Sequence, residues 1–176
     1  MAEEQSGQRR RIDFFYDKDG CEVDEQTMPR EGFDDKILSA LGRMTEAGVE
    51  EGLGDRTRII FKESGDNGMS LVHCWFKSGF VLPFHSHSTD CLYYILGGEL
   101  RMGSRVLRKG DGFFLPAEVG YGYEAGPEGV EVLEFRNASR FNFMFRSNPD
   151  SRWDKVIETY RERTEIWEQE VPPSER

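Results

Sequence analysis

Two of the chain's three histidines stand one residue apart, in Gly79-Phe80-Val81-Leu82-Pro83-Phe84-His85-Ser86-His87. On an extended strand, side chains two apart share a face, so His85 and His87 can aim two imidazoles at one point. That is the beginning of a metal site, and imidazole suits zinc, copper, iron and nickel alike. Catalytic metals usually take about three protein ligands and leave a position open, so the pair needs a further donor. Residues of the right types stand further along the chain. Cys91 carries sulfur, Tyr93 and Tyr121 carry phenols, and Glu134 is a carboxylate inside the apolar run Val132-Leu133-Glu134-Phe135. His73 alternates with Leu71 and Trp75, the pattern of a satisfied core histidine. Glu134 is expected to face solvent, as most charged residues do.

The elements that must position these groups are short strands. Between Arg56 and Phe145, apolar runs such as Leu71 to Phe76, Cys91 to Leu96, Phe113 to Leu115 and Val130 to Phe135 alternate with turn signals. Those signals are Gly65-Asp66-Asn67-Gly68, Gly97-Gly98, Gly110-Asp111-Gly112 and Gly126-Pro127-Glu128-Gly129. Regularly spaced short strands with Gly/Pro turns predict a sandwich or barrel. Ahead of them, residues 1–11 read as a loose polar tail and 12–24 as a hairpin turning at Asp19-Gly20. Phe33, Ile37, Leu38, Leu41 and Met44 then recur at helical spacing, and Gly48 can end that helix. After the strands, Trp153, Ile157, Tyr160 and Ile166-Trp167 form the stripe of a second helix, with Asp150 or Ser151 as its cap. The expected organisation is an extension over 1–55, a barrel over 56–147 and a helix over 148–176.

Composition narrows the function. The 176 residues suffice for one hydrophobic core, and the formal charge of −10 argues against nucleic acid or an anionic membrane as partner. No apolar run approaches the roughly 20 residues that span a bilayer. The N-terminus lacks a signal-peptide core, and three cysteines (Cys21, Cys74, Cys91) make no disulfide framework. A reducing cytoplasm is the expected location.

The stretch from Gly79 to Gly98 resembles the first conserved motif of the cupin superfamily. In that motif Gly, His-x-His, Glu and Gly recur at spacings that Gly79, His85, His87 and Gly98 match, with Cys91 at the Glu position. The second cupin motif resembles Gly110-Asp111-Gly112-Phe113-Phe114-Leu115-Pro116-Ala117-Glu118-Val119-Gly120-Tyr121. Here Glu118 stands at the family's second glycine and Tyr121 at its third metal-ligating histidine. The resemblance implies a mainly β, single-domain cupin, a jelly-roll-like double-stranded β-barrel, flanked by N- and C-terminal helices. It covers about half of the chain.

For the site, the resemblance implies a divalent metal on His85, His87 and Tyr121, with iron(II) favoured and nickel, manganese, zinc or copper open. A phenol ligates as phenolate, so Tyr121 would need the metal to lower its pKa. Its other reading is a hydrogen-bonding phenol in the pocket. Cys91 is either a thiolate that tunes the metal or a small buried hydrophobe. The run from His85 to Gly97 also looks like thiol dioxygenases, where a cysteine at this place is in some cases cross-linked to a tyrosine. Tyr93 resembles a pocket acid or base of small cupin lyases and dioxygenases, and Tyr123 and Phe113 read as substrate-contacting pocket wall. Glu134 and His73 are the other candidates for the missing ligand.

Two function classes fit these residues. One is a metal-dependent oxygenase or lyase on a small organic acid, ketone or thiol. The other is a ligand-binding or sensory cupin with a degenerate metal site, and a metal-free isomerase is allowed by the same groups. A homodimer is expected, with 33–47 and 153–167 as candidate interface segments.

Overall fold

The fold is built on one long central strand pair. In the computed structural model, residues 12–50, 52–65 and 68–176 are described. The expected tail at 1–11 and Asp66-Asn67 of the expected turn lie outside them. The strands are β1 (Cys21–Glu22), β2 (Arg30–Glu31), β3 (Asp55–Lys62), β4 (Ser70–Phe76), β5 (His85–Ser86), β6 (Cys91–Met102), β7 (Arg105–Arg108), β8 (Gly112–Leu115), β9 (Glu124–Arg136) and β10 (Phe143–Phe145). The helices are α1 (Asp35–Glu46) and α2 (Asp150–Trp167). One sheet runs β1-β3-β4-β9-β6-β7 with β8 also on β6, and the other runs β2-β10-β5. Backbone bridges from Val81 to Glu124 and from His85 to Tyr121 join the wall that carries the histidines to the segment that carries Tyr121. The chain is mainly β, with one helix ahead of β3 and a second after β10, the architecture that the two motifs implied.

The core follows the period-2 pattern of these strands. Val72, Cys74 and Phe76 of β4, Tyr93 and Ile95 of β6 and Val130 and Val132 of β9 are buried together. On β6 the alternation holds over Cys91, Tyr93 and Ile95, which are buried, while Leu92 and Tyr94 face out. α1 starts where the Asp34 side chain accepts the Ile37 amide at 2.8 Å and ends before Gly48 at φ +74°. Its Ile37 and Ala40 pack against Trp153 of α2, and Trp153, Val156, Tyr160 and Trp167 of α2 are buried. The stripes face the body of the protein through these residues, while Phe33, Leu38 and Ile166 remain exposed.

Four local expectations need correction. Residues 12–24 form no hairpin. Asp17–Asp19 is a 3-10 turn pinned by Arg58, which donates to the Asp17 and Gly20 carbonyls, and β1 pairs with β3 instead. Gly97-Gly98 and Gly126-Pro127-Glu128-Gly129 are not turns but facing irregularities inside the continuous strands β6 and β9. Gly98 sits at φ +75°, and a Cβ there would lie 2.1 Å from the Gly129 carbonyl oxygen, so the two backbones meet where no side chain fits. Finally, Asp150 is the first residue of α2 rather than its cap, which is Pro149 with no side-chain hydrogen bond.

Candidate functional site

His85 and His87 end up side by side because a bent segment carries them into the barrel. Gly79 at φ +69° makes the bend, and β5 then pairs with β10. Both histidines are buried, with ring centroids 4.9 Å apart. His85 stacks on Phe143 of β10 at 4.1 Å and 6°. Each ring gives its Nδ1–H to a backbone carbonyl, Pro83 O for His85 at 2.7 Å and Asn142 O for His87. That fixes the tautomer and leaves both Nε2 atoms as lone-pair donors. Burial pushes His85 down to about 3, and it pushes His87 well below the ordinary histidine range with help from Arg136. Both imidazoles are neutral, the form that ligates a metal.

The hydrogen-bond directions beyond them are forced. Since His87 Nε2 can only accept, the Tyr121 hydroxyl at 3.1 Å donates to it. Tyr121 then accepts from the Tyr93 hydroxyl at 2.6 Å, and Tyr93 accepts from Arg136 Nη2 at 3.5 Å. Donors thus run one way, from Arg136 through Tyr93 and Tyr121 to His87. Burial first, and the nearby Glu134 second, push the Tyr93 and Tyr121 phenols well above their usual range. Arg136 is fully buried, with its guanidinium 4.1 Å from the Phe141 ring and its Nη1 on Glu134. Burial opposes its charge, and Glu134 outweighs that opposition.

Glu134 points inward, against expectation. Val132, Glu134 and Arg136 face the interior of β9 while Leu133 and Phe135 face outward. The ion pair explains the reversal, because each charge supplies the partner that lets the other be buried. Cys74 adds its Sγ–H to Glu134 Oε1 at 3.3 Å. His73 faces the other side, where it meets Glu131 at 3.1 Å, and it stays outside the site.

A cavity of about 840 Å3 reaches this cluster, bordered by His85, His87, Tyr121, Glu134 and Phe143 and by Met44 and Trp153 of the helices. Tyr93, Cys91, Phe113 and Tyr123 stand behind Tyr121 rather than on that border. Phe113 stacks on Tyr93 at 4.3 Å, and the Tyr123 hydroxyl is buried without a hydrogen-bond partner among the described residues. Burial lifts the Cys91 thiol to about 12, which makes it a protonated, apolar-like residue. Glu118 takes the left-handed conformation, φ 62°, at the position of the second motif's glycine, and its carboxylate pairs with Arg146 at 2.7 Å.

The donor chemistry fits a divalent ion on the two imidazoles. Among the described residues, no group of three or more His, Cys, Asp or Glu gathers in metal-holding geometry, and the Tyr121 oxygen lies 3.1 Å from His87 Nε2. Sequence reasoning missed Arg136, Phe143 and Cys74. The signal for Arg136 was its even spacing from Glu134 and Val132, once the inward phase of β9 is known.

Neutral buried histidines make the metal-free protein acid-sensitive. Their folded pKa lies below the unfolded value near 6.5, so this stability is present above pH 6.5 and is lost as pH falls toward about 3. At pH ~5 the loss from His85 is about 2 kcal/mol. Urea unfolding of metal-free protein at neutral pH and at pH ~5 should show that loss, and His85→Asn should flatten the slope.

Neither a protein-family model nor a curated protein matches the chain. Among solved structures it is similar to KdgF from Halomonas sp., with 23% identity and a TM-score of 0.45, over 52% of this chain and 84% of that one. A second likeness is to an RmlC-like cupin from Shewanella frigidimarina, with 24% identity, a TM-score of 0.43, and 51% and 80% of the two chains covered. A third is to the DMSP lyase DddQ from Ruegeria pomeroyi, with 23% identity, a TM-score of 0.40, and 46% and 45% covered.

Proposed function

We propose that this chain is a metal-dependent enzyme of cupin type that acts on a small organic acid, ketone or thiol, with iron(II) the favoured ion. The observation that carries the reading is the pair of buried, neutral imidazoles 4.9 Å apart, each with its Nδ1–H given to a backbone carbonyl so that its Nε2 presents a lone pair. His85 and His87 would hold the ion through Nε2. When bound, it would supply Lewis acidity and, as iron(II), redox capacity.

The protein's own residues do the rest. His87 Nε2 cannot serve a metal and the Tyr121 hydroxyl together, so with His85 and His87 holding an ion the Tyr121 Oη–H would be free to turn toward the cavity that Tyr121 borders. There Tyr121 can donate to a substrate oxygen or sulfur or join the ligands. Tyr93, 2.6 Å behind, can replace that proton through its own hydroxyl. Arg136 favours negative charge developing on either phenol. Phe143 and the helix side chains keep much of the cavity apolar, which suits a small, partly apolar substrate.

One observation favours a second reading. The path from Tyr93 to His87 is complete without a third His, Cys, Asp or Glu ligand, so it could serve a metal-free isomerase. Turnover of a panel of small 2-keto acids, ketones and thiols separates the two. Iron(II)-loaded protein should act on one class, metal-stripped protein should not, and Tyr93→Phe should cut the rate ~100-fold or more at unchanged metal content. Equal turnover with and without metal would leave only the isomerase reading. Wild-type turnover by Tyr93→Phe would remove the relay.

A further inference from the structure

Where the cavity meets the two histidines, its polar border consists of acceptors. His85 Nε2 presents a lone pair because Nδ1–H is given to Pro83 O, and beside it stands the Glu134 carboxylate. The donors around them are already engaged: Tyr121 Oη–H on His87 Nε2, Cys74 Sγ–H on Glu134 Oε1, and the Thr57 hydroxyl on Cys74. Arg136, which balances Glu134, is buried behind it and does not border the cavity. A carboxylate brought to this end would face another carboxylate, with an ion on the histidines as its only attraction. Glu134 itself has capacity left. Each of its oxygens holds one donor, and a carboxylate offers about four lone-pair sites, so both can accept again. The same sign prevails along the rest of the cavity, where Glu22, Asp24, Glu25 and Asp55 outnumber the cations. Those cations are engaged elsewhere: Arg30 on Glu25, Lys77 on the Trp167 carbonyl at 2.9 Å, and Arg56 over the Trp75 ring at 5.5 Å.

We infer that the substrate of this site is an amine with an apolar body and no carboxylate. Its ammonium group sits on Glu134, and its body lies against Phe80, Phe143, Met44 and Trp153. The inference rests on the proposed function's placing of the reaction at the two histidines, and it removes the organic acid from that function's candidates. Hydrogen bonds between an ammonium and a carboxylate are of the stronger, charge-assisted kind. The acidic border and the net charge of −10 raise the local concentration of a cation and lower that of an anion. A cavity of about 840 Å3 is large for a bare two- or three-carbon molecule and lies in the range that encloses drug-sized ligands, so the body is a chain of several carbons or a ring.

The test is calorimetric titration of the full chain, as purified, with octylamine, octanol and octanoate at pH ~7, where the amine and the acid are both charged. Octylamine should bind at least ~10-fold tighter than octanoate, with octanol between them. In Glu134→Leu/Arg136→Met, which removes both buried charges together, the two charged probes should bind within ~3-fold of each other. Should that variant not fold, the wild-type order still decides. Octanoate as tight as octylamine, or no binding of either, would overturn the inference. So would a wild-type preference that survives in the variant, since the overall charge and not Glu134 would then be its source. Metal content measured on the same preparation keeps the two readings apart. A metal-free protein that prefers octylamine contradicts metal dependence and supports the amine.

Discussion

Arg136→Met should lower the stability of this protein by about 3–5 kcal/mol, although it replaces a charge with an apolar side chain in a buried place. The substitution strands Glu134, a buried carboxylate left with the weak Cys74 thiol as its remaining donor among the described residues. It also removes the donor behind Tyr93 and the cation over Phe141. Adding Glu134→Leu to Arg136→Met should recover most of the loss, because a pair removed together leaves no unpaired charge. Exposed pairs give the contrast. Breaking Arg30–Glu25 should cost no more than about 1 kcal/mol. Urea titrations of the four proteins measure all of these differences, and a single Arg136→Met variant as stable as wild type would refute the structural role of the pair.

The second large effect is on metal binding. His85→Ala with His87→Ala removes both nitrogen donors whose Nε2 lone pairs the backbone carbonyls of Pro83 and Asn142 hold in place. The affinity should fall by far more than the ~10–100-fold typical of losing an outer partner. Thermal denaturation makes this visible: an ion at about 100 times its dissociation constant stabilises the folded state by about 2.7 kcal/mol. The wild type should melt higher with added iron(II), and the double variant should not respond. Tyr121→Phe should fall between them, keeping both imidazoles and losing the phenol oxygen.

Much of the site was legible because its residues obey local periodicity. His-x-His on an extended segment brings the rings together, and strict alternation places Cys91, Tyr93 and Ile95 on one face. Helix α1, with its glycine terminator, comes from spacing alone. What escaped is non-local. The phase of β9 has two solutions by alternation, and hydropathy selects the wrong one, since Leu133 and Phe135 would be buried. The Glu134–Arg136 pair decides otherwise, and its counterparts Cys74 and Tyr93 come from β4 and β6. The glycine pairs at 97–98 and 126–129 read as turns for the same reason. Only the neighbouring strand reveals that Gly98 and Gly129 are there to let two backbones touch.

Whether His85 and His87 hold a metal is decided by elemental analysis of the protein purified without added metal. The wild type should carry close to one divalent ion per chain, and the His85→Ala/His87→Ala variant none. A wild-type protein that is metal-free, and that gains no thermal stability from iron(II), nickel, manganese, zinc or copper, would contradict the metal-dependent reading.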